Sequence, residues 1–417
     1  MTRLSHEVDR LALDLAWSLW AELGAGGIAR HHDWQAIDLE PLIIFTANLG
    51  DADNRLRASA IDWCITNARF ASAFRLRNLA DQASIATRAA FGRFAATVRA
   101  HTKAPWPGQG DPLTLFHPER IGSPDLRRPS LIQLRLRALV GVSARAEVLK
   151  LMLADPERAQ AASRLAEDAA YGKGSVAQAL DMLTMAGIVR VQPDANRLLY
   201  RLSRPDELAQ TLLWLPSVFP DWSPTFRIIE ALADYGHSAP GPPLTRVSGV
   251  QDLLQRIDQD LRRLGISDLV PRALGPASVT EFEHWALDFL AEQTGHGQPA
   301  NASREVAYVM HHLSFGGWLA TINMARRQPR RLDAERGHLE EATGAAELVH
   351  LMFKDVLGKG HLRGAATPPD DGLIQAISRE FADELVQPMR AGQEATFTAE
   401  FVRRWFENRR LRFGATA

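Results

Sequence analysis

The chain has 417 residues, a net charge of −1, and 46% hydrophobic against 23% charged residues. This length predicts two or three domains, and this composition is typical of a protein that buries a real core. The balanced charge excludes a uniformly basic nucleic-acid coat, and the single cysteine, Cys64, excludes an internal disulfide and a cysteine-based zinc site. A single cysteine also suits a reducing compartment, so we predict a cytoplasmic protein. No apolar run is long enough for a membrane span, so we predict no membrane as a partner.

Residues 1–103 are predicted to form an N-terminal helical domain. Apolar residues at steps of three and four predict an amphipathic helix over residues 3–23, and Glu40-Pro41 predicts the start of a second helix. Residues 55–103 hold nine basic and two acidic residues. Two interpretations stay open: the basic residues lie on the solvated faces of a helical bundle, or they extend a nucleic-acid contact surface.

Residues 104–130 contain six prolines and three glycines. Such a density of proline and glycine interrupts regular secondary structure. We therefore predict a linker or a long ordered strap between the N-terminal helices and the segment that follows.

The pattern of residues 131–205 predicts helices followed by a β-hairpin. A helical pattern over residues 144–153 ends at Asp155-Pro156, and another covers residues 162–171. Gly172-Lys173-Gly174 predicts a tight turn, after which Ser175 can cap a helix over residues 175–186. The residues of this helix that are predicted to point inward are Val176, Ala179, Leu180 and Leu183.

The period of the pattern changes after this helix. Residues 188–191 and 198–202 are predicted to form two short strands, joined by a turn over residues 193–196. The order of three helices and a hairpin is that of a winged helix-turn-helix. The predicted fold class is therefore mainly α, with a central winged helix, a small β-hairpin wing over residues 188–202 and flanking helical domains.

Residues 144–205 resemble the winged-helix module of bacterial MarR- and ArsR-type transcriptional regulators. In that family the third helix enters the DNA major groove, and the wing touches the flanking backbone. The residues that the resemblance places toward the groove are Lys173, Ser175, Gln178 and Asp181. Those that it places on the wing are Arg190, Arg197 and Arg201.

The local charge also favours DNA as the partner. Residues 135–204 hold eleven bases against seven acids, and three of the bases lie on the predicted wing. Cations of this kind contact phosphates and give affinity, whereas contacts to base edges give sequence preference. Asp181 is discordant on a DNA-facing helix unless it accepts a hydrogen bond from a cytosine amine.

Residues 206–417 are predicted to form one or more C-terminal helical domains, and the charge balance reverses there. Residues 206–292 hold six bases and thirteen acids, so this segment should face away from DNA. Helical patterns continue from residue 303 toward the C-terminus. We expect these helices to dimerise the protein or to bind a partner protein, since a two-fold dimer matches a palindromic operator.

The sequence contains no catalytic, metal-binding or dinucleotide motif, so we expect no enzymatic activity, no metal and no cofactor. The function predicted from the winged helix is that of a DNA-binding transcriptional repressor, acting as a homodimer on double-stranded DNA. The alternative is a protein-interaction module, such as an antitoxin or a defence-system component, in which the winged helix is structural or autoregulatory. Three tryptophans beside acidic residues would suit such a partner, namely Trp214, Trp222 and Trp285.

Overall fold

The computed structural model describes residues 3–26, 32, 35–49, 52–114, 123–156, 158–194, 197–212, 215–216, 218–238, 243–272 and 275–294. All of them belong to one compact unit, Met1–Gly297. The helices predicted from residue 303 onward and the predicted contact residue Trp214 lie outside the described residues.

The described residues are mainly helical and include a small three-stranded antiparallel sheet, which confirms the coarse fold class. The N-terminal helices are α1 (Arg3–Leu23), α2 (Leu39–Leu49), α3 (Asn54–Asn67), α4 (Ala73–Ala80) and α5 (Ile85–His101). The central elements are α6 (Ile132–Val140), α7 (Ala144–Ala154), β1 (Gln160–Ala161), α8 (Ala162–Asp168), α9 (Lys173–Met185), β2 (Val189–Asp194), β3 (Arg197–Leu202) and α10 (Pro205–Leu212). The helices that follow are α11 (Trp222–His237), α12 (Pro243–Leu264) and α13 (Pro276–Thr294).

Helices α1–α5 and α11–α13 share one hydrophobic core. Phe45 of α2 stacks on Phe226 of α11 with ring centroids 4.3 Å apart, so the two parts of the chain interlock. Trp222 was expected to serve a partner protein, and that expectation is wrong. Its ring is 1% exposed and its indole Nε1 donates to the carbonyl oxygen of Ala36, because both the apolar ring and its N–H find partners inside the core.

The central elements α6–α10 surround a second core. Helix α6 belongs to both cores: Leu134 packs into the first, whereas Ile132 and Leu136 pack into the second. Helix α6 thus packs against both cores and connects the central elements to the rest of the unit.

The sheet has the strand order β1-β3-β2, and all neighbours are antiparallel. The predicted hairpin is confirmed, but its pairing continues to Asp194 and Arg197, so the connection is shorter than the predicted turn over residues 193–196. The two-residue strand β1 was not predicted, because two residues are too few to establish an alternating pattern.

Helix α9 begins at Lys173 rather than at Ser175. Gly172 occupies the N-cap position with an extended backbone, and no side chain caps the helix. The expectation that Ser175 caps α9 is therefore wrong. Lys173 and Gly174 continue the helix toward its N-terminus, so Ser175 lies inside the first turn.

The described part of the segment rich in proline and glycine, residues 104–114 and 123–128, includes an ordered strap on α5. Arg99 donates to the carbonyl oxygen of Trp106 at 2.8 Å, and the backbone N–H of Leu113 donates to Thr97 Oγ1 at 2.8 Å. A Cβ atom added to Gly92 of α5 would fall on the backbone carbonyl oxygen of Gln109. The absence of a side chain at Gly92 thus allows the strap to lie directly on the helix.

We expect the substitution Gly92→Ala to lower the free energy of unfolding by about 1–3 kcal/mol, because the added methyl group displaces the strap. Gly174→Ala is the matched control, since open space surrounds that position in α9. The control should be neutral or stabilising by up to about 1 kcal/mol. Urea unfolding measures both values, and equal stability of the two variants would contradict the role of Gly92.

Candidate nucleic-acid interface

One face of α9 is exposed and the opposite face is buried. The four residues predicted to point inward are buried in the second core: Val176, Ala179, Leu180 and Leu183. The sequence-predicted residues Ser175, Gln178 and Asp181 are all exposed. Helical spacing therefore separates the two faces as the sequence indicated, and leaves the side chains of these three residues free to reach a partner.

Lys173 is exposed as well, but it lies at the rim of a cleft. The cleft has a volume of about 1330 Å³ and is lined by the α4–α5 turn, the α8–α9 segment, α11 and α12. Lys173 thus differs in surroundings from the other predicted groove-facing residues. Among the described residues it has no ion-pair partner, so its charge is available to a ligand in the cleft or to one on the exposed face of α9.

Three arginines lie on one face of the β2–β3 hairpin. Arg190 lies directly opposite Arg201 in the antiparallel pairing, and Arg197 lies opposite Asp194. Arg190 and Arg197 are exposed, whereas Arg201 is partly buried. Within the described part of the chain, the buried Nε of Arg201 has no hydrogen-bond partner. Two like charges face each other across the strands, which is unfavourable unless an anion lies near them.

Large apolar side chains are also exposed beside these polar residues. On α9, Met182 is 48% and Met185 83% exposed, and on the hairpin Leu198 is 53% exposed. Lys173 is the only base of α9. The exposed surface of α9 therefore combines uncharged polar and apolar side chains with few charges, and the positive charge of this region is concentrated on the hairpin.

The turn between α8 and α9 is held by α4. Arg75 Nε donates to the carbonyl oxygen of Ala169 and Asn78 Nδ2 to that of Ala170, each at 2.9 Å. Ala170 has a φ of 53°, a conformation that costs free energy in a residue with a side chain. The ring of Tyr171 stacks on Phe74 at 5.2 Å between centroids. These contacts fix where α9 begins.

Behind this turn lies a network of buried charges that sequence reasoning missed. The guanidinium of Arg75 contacts both Asp38, which precedes α2, and Glu40, the second residue of α2. Arg137 of α6 pairs with Glu40 at 2.6 Å and with Glu147 of α7 at 2.6 Å. The network therefore joins helices of the first core to helices of the second.

Two further side chains close the network. Lys150 Nζ pairs with Asp38 at 2.7 Å and with Glu147 at 3.3 Å. The side-chain amide of Gln133 donates to both of these carboxylates and accepts the backbone N–H of Leu39 through its oxygen. Each buried carboxylate thus faces at least one cation, a condition that buried charges must meet.

These contacts perturb the ionisation of the buried acids. Burial raises the pKa of Glu147, but the cations of Arg137, Arg75 and Lys150 outweigh burial and lower the pKa to about 2. Burial also raises the pKa of Asp38, and Arg75 and Lys150 again outweigh it, so the pKa lies well below its usual value. A carboxyl group whose pKa is lower in the folded protein than in the unfolded chain stabilises the fold at pH values above its pKa in the unfolded chain. This contribution is lost as the pH falls through its pKa in the folded protein.

The network changes the charge balance on which the DNA prediction rested. Arg137 and Lys150 are buried in ion pairs, and Arg135 donates to the backbone carbonyl oxygens of Leu126 and Arg128. Without these three bases and Glu147, residues 135–204 retain eight bases against six acids. Arg75 of the basic N-terminal segment is likewise 2% exposed. Fewer cations can therefore reach a phosphate than the sequence suggested.

No helix within the described residues combines the length and the apolar character that crossing a membrane requires. Nor do the described residues bring together three histidine, cysteine, aspartate or glutamate side chains in a way that could hold a metal ion. Comparison with known proteins found no matching family model, no similar curated protein and no similar solved structure.

We expect Arg137→Met to lower the free energy of unfolding by about 3–5 kcal/mol, because it leaves Glu40 and Glu147 buried without this cation. The matched control is Arg10→Met, which removes an exposed guanidinium from its pairs with Glu7 and Asp14 on α1. The control should cost less than about 1 kcal/mol. Chemical denaturation of both variants checks the difference, and a similar small loss in each would contradict a stabilising role for the network.

Proposed function

We propose that this protein is a DNA-binding transcriptional regulator that reads double-stranded DNA with α9 and touches the backbone with the β2–β3 hairpin. The observation that carries the proposal is topological. Helices α7, α8 and α9 precede a hairpin, and β1 joins the hairpin in a sheet of order β1-β3-β2. This arrangement is consistent with a winged helix, in which the last helix is exposed for the major groove.

The chemistry of the exposed residues supports the same proposal. The amide of Gln178 can make a bidentate contact to adenine, and Ser175 can contact any base edge. Arg190 and Arg201 lie side by side on the wing, and the buried Nε of Arg201 lacks a partner among the described residues. A phosphate between the two guanidiniums would relieve their repulsion and satisfy this donor.

The protein would act as a homodimer, because one winged helix covers only a few base pairs and a two-fold pair of them matches a palindromic operator. The exposed arginines and lysine of the N-terminal helices would add phosphate contacts if they lie beside the bound duplex. Exposed candidates in this segment include Arg55, Arg77 and Lys103.

We expect Arg190→Ala combined with Arg197→Ala to weaken binding to all duplexes and to reduce the salt dependence by about one to two units of slope. Gln178→Ala should instead reduce the preference for a selected site by roughly 1–3 kcal/mol. The duplexes are selected from a random-sequence library with the unaltered protein, and affinity is measured as a function of salt concentration.

Arg262→Ala is the control for this experiment. Arg262 is an exposed arginine of α12 that pairs with Asp258, outside α9 and the hairpin. The control should leave duplex affinity and salt dependence unchanged. If the wing double variant also leaves both unchanged, the assignment of DNA binding to this region is wrong.

A second candidate function is that of a protein-interaction module, such as an antitoxin or a defence-system component. The observation that favours it is the exposure of Met182, Met185 and Leu198 beside a helix that carries one base. Methionine is common on surfaces that adapt to partner proteins, because its side chain is flexible and polarisable.

If this second function is correct, Met182→Ser with Met185→Ser should abolish the capture of a partner protein from the cells that express the chain. Leu244→Ser on α12 is the matched control, since Leu244 is 77% exposed and lies on another helix. The control should retain the partner. Quantitative mass spectrometry of the captured material gives the comparison, and loss of the partner in both variants or in neither would argue against α9 as its binding surface.

A further inference from the structure

The cleft beside the α8–α9 turn contains a carboxyl group that lacks a positive partner. Glu230 of α11 lines the cleft, and its Oε2 accepts a hydrogen bond from Thr87 Oγ1 of α5 at 3.2 Å. Among the described residues, no arginine, lysine or histidine pairs with this carboxyl group. Glu230 was counted in the sequence only as one of thirteen acids, so its position was not foreseen.

Four of the other charged groups of α11 and α12 that line the cleft are paired with each other. Arg227 makes hydrogen bonds of 3.1 Å from its Nε to both carboxylate oxygens of Asp260. Arg256 lies 3.5 Å from Asp234. These arginines are held by carboxylate partners, and the charge of Arg227 lowers the pKa of Glu230 by less than burial raises it.

The remaining charged groups of the lining lie on α8, at the start of α9, in the turn between α4 and α5 and at the end of α12. Arg164 of α8 makes its closest ion pair with Asp168, at 2.8 Å, and lies 4.0 Å from Glu167. Arg263 of α12 makes its closest ion pair with Asp221, and neither Asp168 nor Asp221 lines the cleft. Lys173 and Asp81 line the cleft without an ion-pair partner among the described residues. The lining thus contains two carboxyl groups without cations, at Glu230 and Asp81, against one cation without a carboxylate.

We propose that this cleft binds an aliphatic amine, with the carboxylate of Glu230 as the counter-ion of its ammonium group and Asp81 as the partner of a second ammonium group. An ammonium ion carries three N–H donors and can satisfy the oxygens of a carboxylate that the protein leaves unpaired. The cleft volume of about 1330 Å³ exceeds the range of roughly 300–1,000 Å³ usual for drug-sized ligands, so it accommodates an extended chain.

The ionisation of Glu230 gives the proposal a second, independent signature. Burial raises the pKa of Glu230 to about 8, so at neutral pH the free protein carries this side chain mainly as the neutral acid. An ammonium ligand favours the ionised form, so binding should release a proton. For a pKa of about 8, the affinity should rise about ninefold from pH 6 to pH 7, because the ionised fraction rises by that factor.

The site is also defined by where it lies in the fold. Its walls include the α8–α9 turn together with α11 and α12, so a bound amine would contact elements that belong to different cores. Occupancy of the cleft does not require that α9 contact DNA. The proposal therefore goes beyond the proposed function and stands or falls separately from it.

The test is isothermal titration calorimetry of the full chain with putrescine, in buffers of different ionisation enthalpy and at several pH values. The uncharged 1,4-butanediol is the matched probe, since it has the same carbon chain with hydroxyl groups instead of amines. We expect putrescine to bind with release of nearly one proton at pH 7, and butanediol to bind at least tenfold more weakly.

Glu230→Gln should reduce putrescine affinity at least tenfold and should abolish both proton release and the rise from pH 6 to pH 7. This variant should fold, because an amide resembles the neutral acid in size and hydrogen bonding. Asp81→Asn should weaken putrescine but not a monoamine such as butylamine. Asp258→Asn, which changes an exposed acid of α12 outside the cleft lining, is the control and should change nothing.

Three results would overturn the proposal. One is a dissociation constant above about 10 mM for putrescine, which would be too weak for a built site. Another is equal binding of putrescine and butanediol, which would show that the cleft does not recognise charge. The third is unchanged putrescine binding by Glu230→Gln, which would place the amine elsewhere. None of these results bears on the duplex measurements of the wing variants.

Discussion

Six charged side chains meet where the two cores join, and one of them also holds the turn that precedes α9. Asp38, Glu40 and Arg75 come from the first core's helices, whereas Arg137, Glu147 and Lys150 come from α6 and α7. Ion pairs at such depth contribute little net stability over well-packed apolar residues, but removing one member leaves another unpaired. They also require a defined geometry, so a shift of one core against the other would separate several of these pairs.

This constraint extends from the network to the surface. Arg75 uses its guanidinium terminus for Asp38 and Glu40 and its Nε for the carbonyl oxygen of Ala169. The same side chain therefore joins the buried network to the turn that precedes α9. The α8–α9 turn also forms one wall of the cleft that Glu230 lines from α11. Because the turn is fixed against α4, this wall of the cleft is fixed as well. The DNA-facing and ligand-facing surfaces proposed for this protein thus both depend on the contacts between α4 and this turn.

The sequence predicted the elements well, because periodicity is a local property. The helix over residues 3–23, the inward face of α9 and the hairpin follow from the spacing of apolar residues. The network of buried charges could not be predicted from the sequence, because a count of charges along a segment treats each charge as exposed to solvent. The sequence did contain a signal, because Glu40 lies near the start of the largely apolar segment that forms α2, and Arg137 lies within the apolar pattern that forms α6. Charges at core positions of amphipathic helices require partners, but their partners lie far away in sequence.

The same limit applies to the choice of partner for the exposed surface. A surplus of basic residues favours DNA only when the cations are accessible, and three of the eleven bases around the central elements bind inside the protein. The accessible bases that remain are few, and their positions matter more than their number. Arg190 and Arg201 are held opposite each other by the strand register, at a cost that an apolar partner surface would not offset. An anion between them would offset that cost. The strand register of these two residues, which counting charges along the sequence does not reveal, is therefore the observation that supports the proposed phosphate contact.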